Sequence, residues 1–188
     1  MEIEIRAFIE NAKAFEKRLK ELGIKKESES HIIDYWFCRN EVKSFKGAKM
    51  DKVGSYGFRI RTEFKNGKLI SHINCKILAK KFDHNAFIEH ESDVANHIEC
   101  RKILECIGFK NFCIVDKKRI TYRINRCLVN IELIKGFKPA VEFEIISDKN
   151  ISHHKMTIME LMKKLKIKQK NIIKKSITFL YMEKHSKF

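Results

Sequence analysis

Seven stretches of this chain place charged or polar side chains two residues apart: Glu2/Glu4/Arg6, Arg59/Arg61/Glu63, His72/Asn74/Lys76, Glu89/Glu91, Lys117/Arg119/Thr121/Arg123, Asn130/Glu132 and Glu142/Glu144. Alternate residues of a β-strand share a face, so each group projects to one side of its strand. A sheet with one face in water would carry such residues without any function. However, like charges held about 7 Å apart repel, and that spacing is more natural when a ligand of opposite sign lies between them. If the sheet closes with its apolar faces outward, the charges line a tunnel. The basic residues would then cradle a polyphosphate. Glu2 and Glu4 of the first strand would meet Glu142 and Glu144 of the last strand around divalent cations, without which the glutamates would only repel the anion.

The elements that must position these residues are legible from periodicity and turn residues. A strand over 2–9 leads to Asn11, which can cap a helix with Ala14, Phe15, Leu19 and Leu22 on its apolar stripe, ended by Gly23. Residues 31–37 have the β-branched and aromatic content of a strand, and 40–55 read as a loop. Strands over 56–63 and 69–78 flank Asn66-Gly67, a hairpin signal. A short strand from Ala86 to Glu91 precedes an Asp93-capped helix carrying Val94, His97, Ile98, Ile103, Leu104 and Ile107, stopped by Gly108. Three more strands are expected over 112–124, 127–134 and 140–147, and from Ser152 the chain is helical and basic. About eight hairpin-connected strands with three or four helices argue for an antiparallel sheet with helices packed on it.

The bulk composition fits this picture. A length of 188 residues suits one domain, and with one proline, Pro139, and seven glycines no linker stands out. No apolar run approaches the roughly 20 residues of a membrane span and no leader is visible, so a cytoplasmic protein is expected. The six cysteines show no metal-like spacing and read as reduced thiols. Lys plus Arg exceed Asp plus Glu by 40 to 24, a net charge of +16. Such an excess could mark a nucleic-acid-binding module. Against that, the basic residues alternate with carboxylates and lack an aromatic platform for bases, so nucleic acid is the disfavoured partner.

The motifs resemble the CYTH superfamily, the triphosphate tunnel metalloenzymes that include class IV adenylate cyclases and thiamine triphosphatases. The resemblance runs from Glu2 to about Tyr181. Its hallmark Glu-x-Glu-x-Lys strand reads Glu2-Ile-Glu4-Ile-Arg6 here. Phe58-Arg59-Ile60-Arg61, Ile73-Asn74-Cys75-Lys76, Glu89-His-Glu91, the strand from Val115 to Tyr122, and Val141-Glu142-Phe-Glu144 follow in the family's order.

The resemblance implies an α+β, β-dominated fold: a closed antiparallel barrel of about eight strands forming a tunnel, with helices outside. A single domain would span 1–183, followed by a basic tail over 184–188. Glu2, Glu4, Glu142 and Glu144 would bind the metal, two Mg²⁺ or Mn²⁺ ions. Glu2, Glu4, Glu132 and Glu142 would form the catalytic set, and Arg6, Arg59, Arg61, Lys76, Lys117 and Arg119 would hold the triphosphate. The implied reaction is conversion of ATP to cyclic AMP and pyrophosphate. Hydrolysis of inorganic or thiamine triphosphate is the alternative, and a homodimer is expected from the resemblance alone. Two departures stand out. Arg6 replaces the usual lysine, keeping the charge but exchanging a compact ammonium for a rigid fork. Gly136-Phe137-Lys138 replaces a Gly-Leu-Gly-like turn.

Overall fold

The computed structural model describes residues 2–50, 52–78, 87–147 and 150–188, with Glu2 and Phe87 described by their backbone only. Ala86, expected to open a strand, lies outside the described residues. The chain divides into two compact units: residues 1–30 with 117–177, and residues 31–116 with 178–188. The elements are β1 (Glu2–Phe8), α1 (Ala12–Glu21), β2 (Lys25–Arg39), α2 (Phe45–Ala48), β3 (Tyr56–Lys65), β4 (Lys68–Leu78), β5 (Phe87–Asp93), α3 (His97–Cys106), β6 (Phe109–Ile124), β7 (Cys127–Ile134), β8 (Ala140–Ile146), α4 (Ile151–Lys164), β9 (Ile172–Ile173) and α5 (Ile177–His185). The long strands β2 and β6 contribute to both units. The strand-dominated antiparallel α+β fold expected from the sequence is present.

In the first unit the hydrogen-bonded order is β2-β6-β7-β8-β1-β9. The β1–β8, β1–β9, β6–β7 and β7–β8 pairings are antiparallel. Alternation sorts the side chains. Ile3 and Ala7 of β1, Ile120 and Tyr122 of β6, Val129 and Ile131 of β7, and Val141, Phe143 and Ile145 of β8 form one core with Phe15 and Leu19 of α1 and Ile158, Leu161 and Met162 of α4. Fully burying one such large aliphatic or aromatic side chain stabilises by roughly 1.5–3 kcal/mol. The charged residues between them are thereby left on the opposite face of these strands. The expected Asn11 cap is present: its side-chain oxygen accepts the Ala14 N–H at 3.0 Å.

In the second unit the order is β5-β4-β3-β2-β6. The β3–β4 hairpin turns through Asn66 (φ 52°) and Gly67 (φ 75°), the two positive φ values that a type I′ turn needs. Phe37, Ile60 and Leu104 form a small core here, joined by Phe58 and Phe109. Leu104 is the buried apolar residue of α3, whereas Ile98, Ile103 and Ile107 are exposed.

Four expectations are corrected. β2 starts at Lys25, six residues before the apolar run at His31: the wholly polar stretch over 25–30 is extended strand too, which apolar periodicity could not mark. Asp93 does not cap α3. It ends β5 opposite His72 and meets His72 Nδ1 at 2.9 Å, and Asn96 caps instead, accepting the N–H groups of Ile98 and Glu99 at 3.1 Å. The 40–55 segment contains the short helix α2. The C-terminal segment is not one helical run: Lys166 turns left-handed after α4, Ile172–Ile173 pairs with Arg6 and Ala7 of β1, and α5 follows. The last of these helices, α5, runs through His185 and so takes in the start of the expected tail.

The six cysteines are free thiols. Among the described residues no helix is long and apolar enough to cross a membrane.

Candidate active site

The strand registers of the first unit build a grid of functional side chains. Glu4 stands opposite Glu144 and Arg6 opposite Glu142. Asn130 stands opposite Glu142 on the other flank of β8, and Arg119 opposite Glu132. The contacts follow the grid. Arg6 bridges two carboxylates, pairing with Glu4 and, through Nε, with Glu142 Oε1 at 3.2 Å. Glu132, only 1% exposed, uses both oxygens: Oε1 accepts from Arg119 Nε, and Oε2 lies 2.9 Å from Lys117 Nζ. Arg119 Nη2 reaches Glu142 Oε2 at 3.7 Å.

Thr121 donates to Asn130 Oδ1 at 2.9 Å, which fixes the amide so that Nδ2 donates to Glu144 Oε2 at 3.4 Å. Burial alone would raise the pKa of Glu142. Arg119, Lys117 and Arg6 around it outweigh that and hold its carboxyl below the ordinary value.

The second unit has a site of its own. Asp34, fully buried, receives Arg61 as a two-pronged fork, Nε to Oδ1 at 2.6 Å and Nη2 to Oδ2 at 2.9 Å, and Arg59 Nη1 lies 3.4 Å from Oδ2. Such paired N–H···O bonds fix a guanidinium plane as well as its charge. Next along the sheet, Asn74 donates to Glu89 and, at 3.2 Å, to Glu91, and Lys76 Nζ lies 3.0 Å from Glu89 Oε2. Burial would raise the Glu89 pKa, but Lys76, Asn74 and Arg59 lower it.

The structure thus gathers Glu4, Arg6, Lys117, Arg119, Glu132, Glu142 and Glu144 in one unit, and Arg59, Arg61, Lys76, Glu89 and Glu91 in the other. Glu2 occupies β1 opposite Ile146, and its side chain lies outside the described residues. Arg123 stands apart, pairing with Glu27 at 2.6 and 3.0 Å on an exposed rim. Tyr122, part of the motif strand, turns into the core and donates to Glu16 at 2.8 Å. Asp34 was missed by sequence reasoning. Its signal was a lone acid inside the apolar run from His31 to Phe37.

The carboxylates of Glu4, Glu142 and Glu144 are hard oxygen donors on adjoining strands, the ligand type that suits Mg²⁺ or Mn²⁺. Among the described residues, no three carboxylate, imidazole or thiol groups already converge on one point. Between Glu4 and Glu142 the positive charge is supplied by Arg6.

Comparison with known proteins places this site in context. A family model described as CYTH domain matches residues 1–177. The fold is similar to that of PH1819 from Pyrococcus horikoshii OT3, at 17% identity over 98% of this chain and 100% of that one, with a TM-score of 0.78. It is similar to a candidate adenylate cyclase from Vibrio parahaemolyticus, at 14% identity over 96% and 97% of the two chains, with a TM-score of 0.72. A third similar structure is HpAC1 from Hippeastrum, named as a candidate adenylyl cyclase with a dominant triphosphatase activity; identity is 14% over 97% and 95%, with a TM-score of 0.64. At these identities the structures speak for the fold alone. No curated protein sequence matches the chain.

Proposed function

The chain belongs to the CYTH domain family, and from that premise we propose that it converts ATP to cyclic AMP and pyrophosphate, as class IV adenylate cyclases do. One observation carries the triphosphate-binding part of the reading: in each unit a buried acid clamps two cations, Glu132 with Lys117 and Arg119, Asp34 with Arg61 and Arg59. Cations held in this way are oriented before any substrate arrives, so little reorganisation is needed when a triphosphate binds.

In this reading Arg6, Arg59, Arg61, Lys76, Lys117 and Arg119 take the phosphate oxygens. Glu132, expected among the catalytic acids, and Asp34 act as positioning residues through the cations they hold. Glu4, Glu142 and Glu144, with Glu2, hold the divalent ions. When bound, Mg²⁺ or Mn²⁺ offsets phosphate charge and eases ionisation of the attacking hydroxyl. The chain's cations keep the triphosphate in line, so that the ribose 3′-oxygen bonds to the α-phosphorus, its proton passes to solvent water, and pyrophosphate leaves with the electrons of the broken P–O bond.

The same site, directing water at the terminal phosphorus, would make a triphosphatase. The name of the similar Hippeastrum protein supports keeping that second reading. Purified protein incubated with ATP and Mg²⁺ or Mn²⁺, with products separated by chromatography, decides between them. Cyclic AMP plus pyrophosphate is expected. ADP plus phosphate, or turnover of tripolyphosphate only, assigns the hydrolase and overturns the cyclase.

A further inference from the structure

The candidate site holds six cations, Arg6, Arg59, Arg61, Lys76, Lys117 and Arg119, against eight acids once Glu2 and Asp34 join the glutamates, so it carries none of the chain's net charge of +16. That excess lies elsewhere, and half of it is focused. Residues 163–175 read KKLKIKQKNIIKK, seven lysines and no acid, and all seven are exposed. Residues 10–21, which include α1, add Lys13, Lys17, Arg18 and Lys20 against Glu10, Glu16 and Glu21. Together the two segments carry +8 in 25 residues. They belong to one compact unit and meet there: Arg18 Nη1 donates to the Leu165 carbonyl at 3.2 Å, and Lys168 Nζ lies 3.3 Å from Glu10 Oε1. A cleft of about 310 Å³ lies between them, with Asn11, Ala14 and Arg18 from one segment and Lys166, Lys168 and Asn171 from the other.

Ordinary structural roles cover few of these lysines. Lys163 and Lys164 stand in the last turn of α4, where a cation offsets the helix dipole. Lys168 has Glu10 beside it, whereas Lys166, Lys170 and Lys174 have no ion pair among the described residues. Like charges crowded together without acids repel, and a polyanion would offset that repulsion. We propose that this surface binds double-helical nucleic acid through its phosphate backbone, apart from the paired strand faces. The alternation with carboxylates that disfavours nucleic acid belongs to those strands and not to this surface. A membrane fits less well: Phe15 and Leu19 of α1 are buried in the core and Ile167 and Ile172 pack against it, which leaves Leu22 as the exposed large apolar residue available to lipid. A single strand also fits less well, because the aromatic residues at the cleft, Phe8 and Phe15, are packed against Phe137 and within the core and offer bases no stacking face. A cleft flanked by lysines instead receives a phosphate backbone, which a duplex presents at regular spacing whatever its sequence.

The test is fluorescence anisotropy of labelled DNA and RNA duplexes, each of about 20 base pairs, titrated with the full chain in EDTA so that no metal bridges phosphate to carboxylate. One or both duplexes should bind, and the tighter names the polymer. Contact with roughly four to six phosphates should cost about 10²–10³-fold in affinity between about 50 mM and about 200 mM salt. Lys166→Gln/Lys168→Gln/Lys170→Gln should weaken binding at least about tenfold and flatten the logarithmic salt slope by about two to three. The same loss of charge in the second unit, Lys43→Gln/Lys46→Gln/Lys52→Gln, should change affinity by no more than about threefold. All six lysines are exposed, so neither variant disturbs a core. Absence of saturable duplex binding at the lowest salt, equal weakening by the two triple variants, or binding only to vesicles of phosphatidylcholine and phosphatidylserine at about 7:3 would overturn the proposal and leave the triphosphate site standing.

Discussion

In the first unit Glu132 receives Lys117 and Arg119; in the second, Asp34 receives Arg59 and Arg61. The two acids are 1% and 0% exposed, so the same device, one buried carboxylate holding two cations, occurs twice. What differs is the company each clamp keeps. Beside Glu132 stand further carboxylates, Glu4, Glu142 and Glu144, in register on β1 and β8. Beside Asp34 stands Trp36, which lines a cavity and is joined to the clamp by the stacked Arg59. The first clamp therefore adjoins hard oxygen ligands and the second adjoins an aromatic wall. The proposed division is metal binding by the carboxylates of the first unit alone.

The comparison breaks most visibly where a clamp is removed. Asp34→Ala and Glu132→Ala each leave two cations without their buried acid, and each should destabilise the fold by about 3–5 kcal/mol in chemical denaturation. A loss below about 1 kcal/mol in either would show that its acid is not holding the cations. Glu4→Gln with Glu142→Gln should keep the fold but lower turnover at least about 100-fold, and should abolish the rise in melting temperature on adding Mn²⁺. Loss of the same Mn²⁺ effect in Arg61→Gln would erase the proposed division between the units.

A smaller effect concerns pH. The folded pKa of Glu142 is lowered from an ordinary 4.5. Its stabilising contribution is therefore fully present above about pH 4.5 and is lost as pH falls through the lower folded value. Stability measured against Glu142→Gln should converge with wild type on acidification below that range; a constant gap would refute the assignment. Smallest of all, Arg123→Ala removes an exposed pair with Glu27 outside the grid, and should leave melting temperature and turnover unchanged within error.

The first unit was legible because alternation states its two faces outright. Once Ile3, Ile120, Val129 and Phe143 are buried, Glu4, Arg119, Asn130 and Glu142 must lie on the other face. The second unit was less so. Asp34 forms no like-charged pair, and its partners lie 25 and 27 residues away, so nothing local marks it as their anchor. Trp36 looked like an ordinary strand aromatic because its cavity is assembled from α2, β3 and α5. The apolar spacing of α3 marked a face but could not say that Ile103 and Ile107 stay in water. Two-residue β9 is too short for any periodic signal.

The most direct test of the central claim, that the carboxylates of the first unit form a divalent-metal site, is the electron paramagnetic resonance signal of free Mn²⁺ during titration with protein. The wild-type chain should deplete the signal, and Glu4→Gln/Glu142→Gln, confirmed as folded by circular dichroism, should leave it undiminished. Equal depletion by the two proteins would contradict the account.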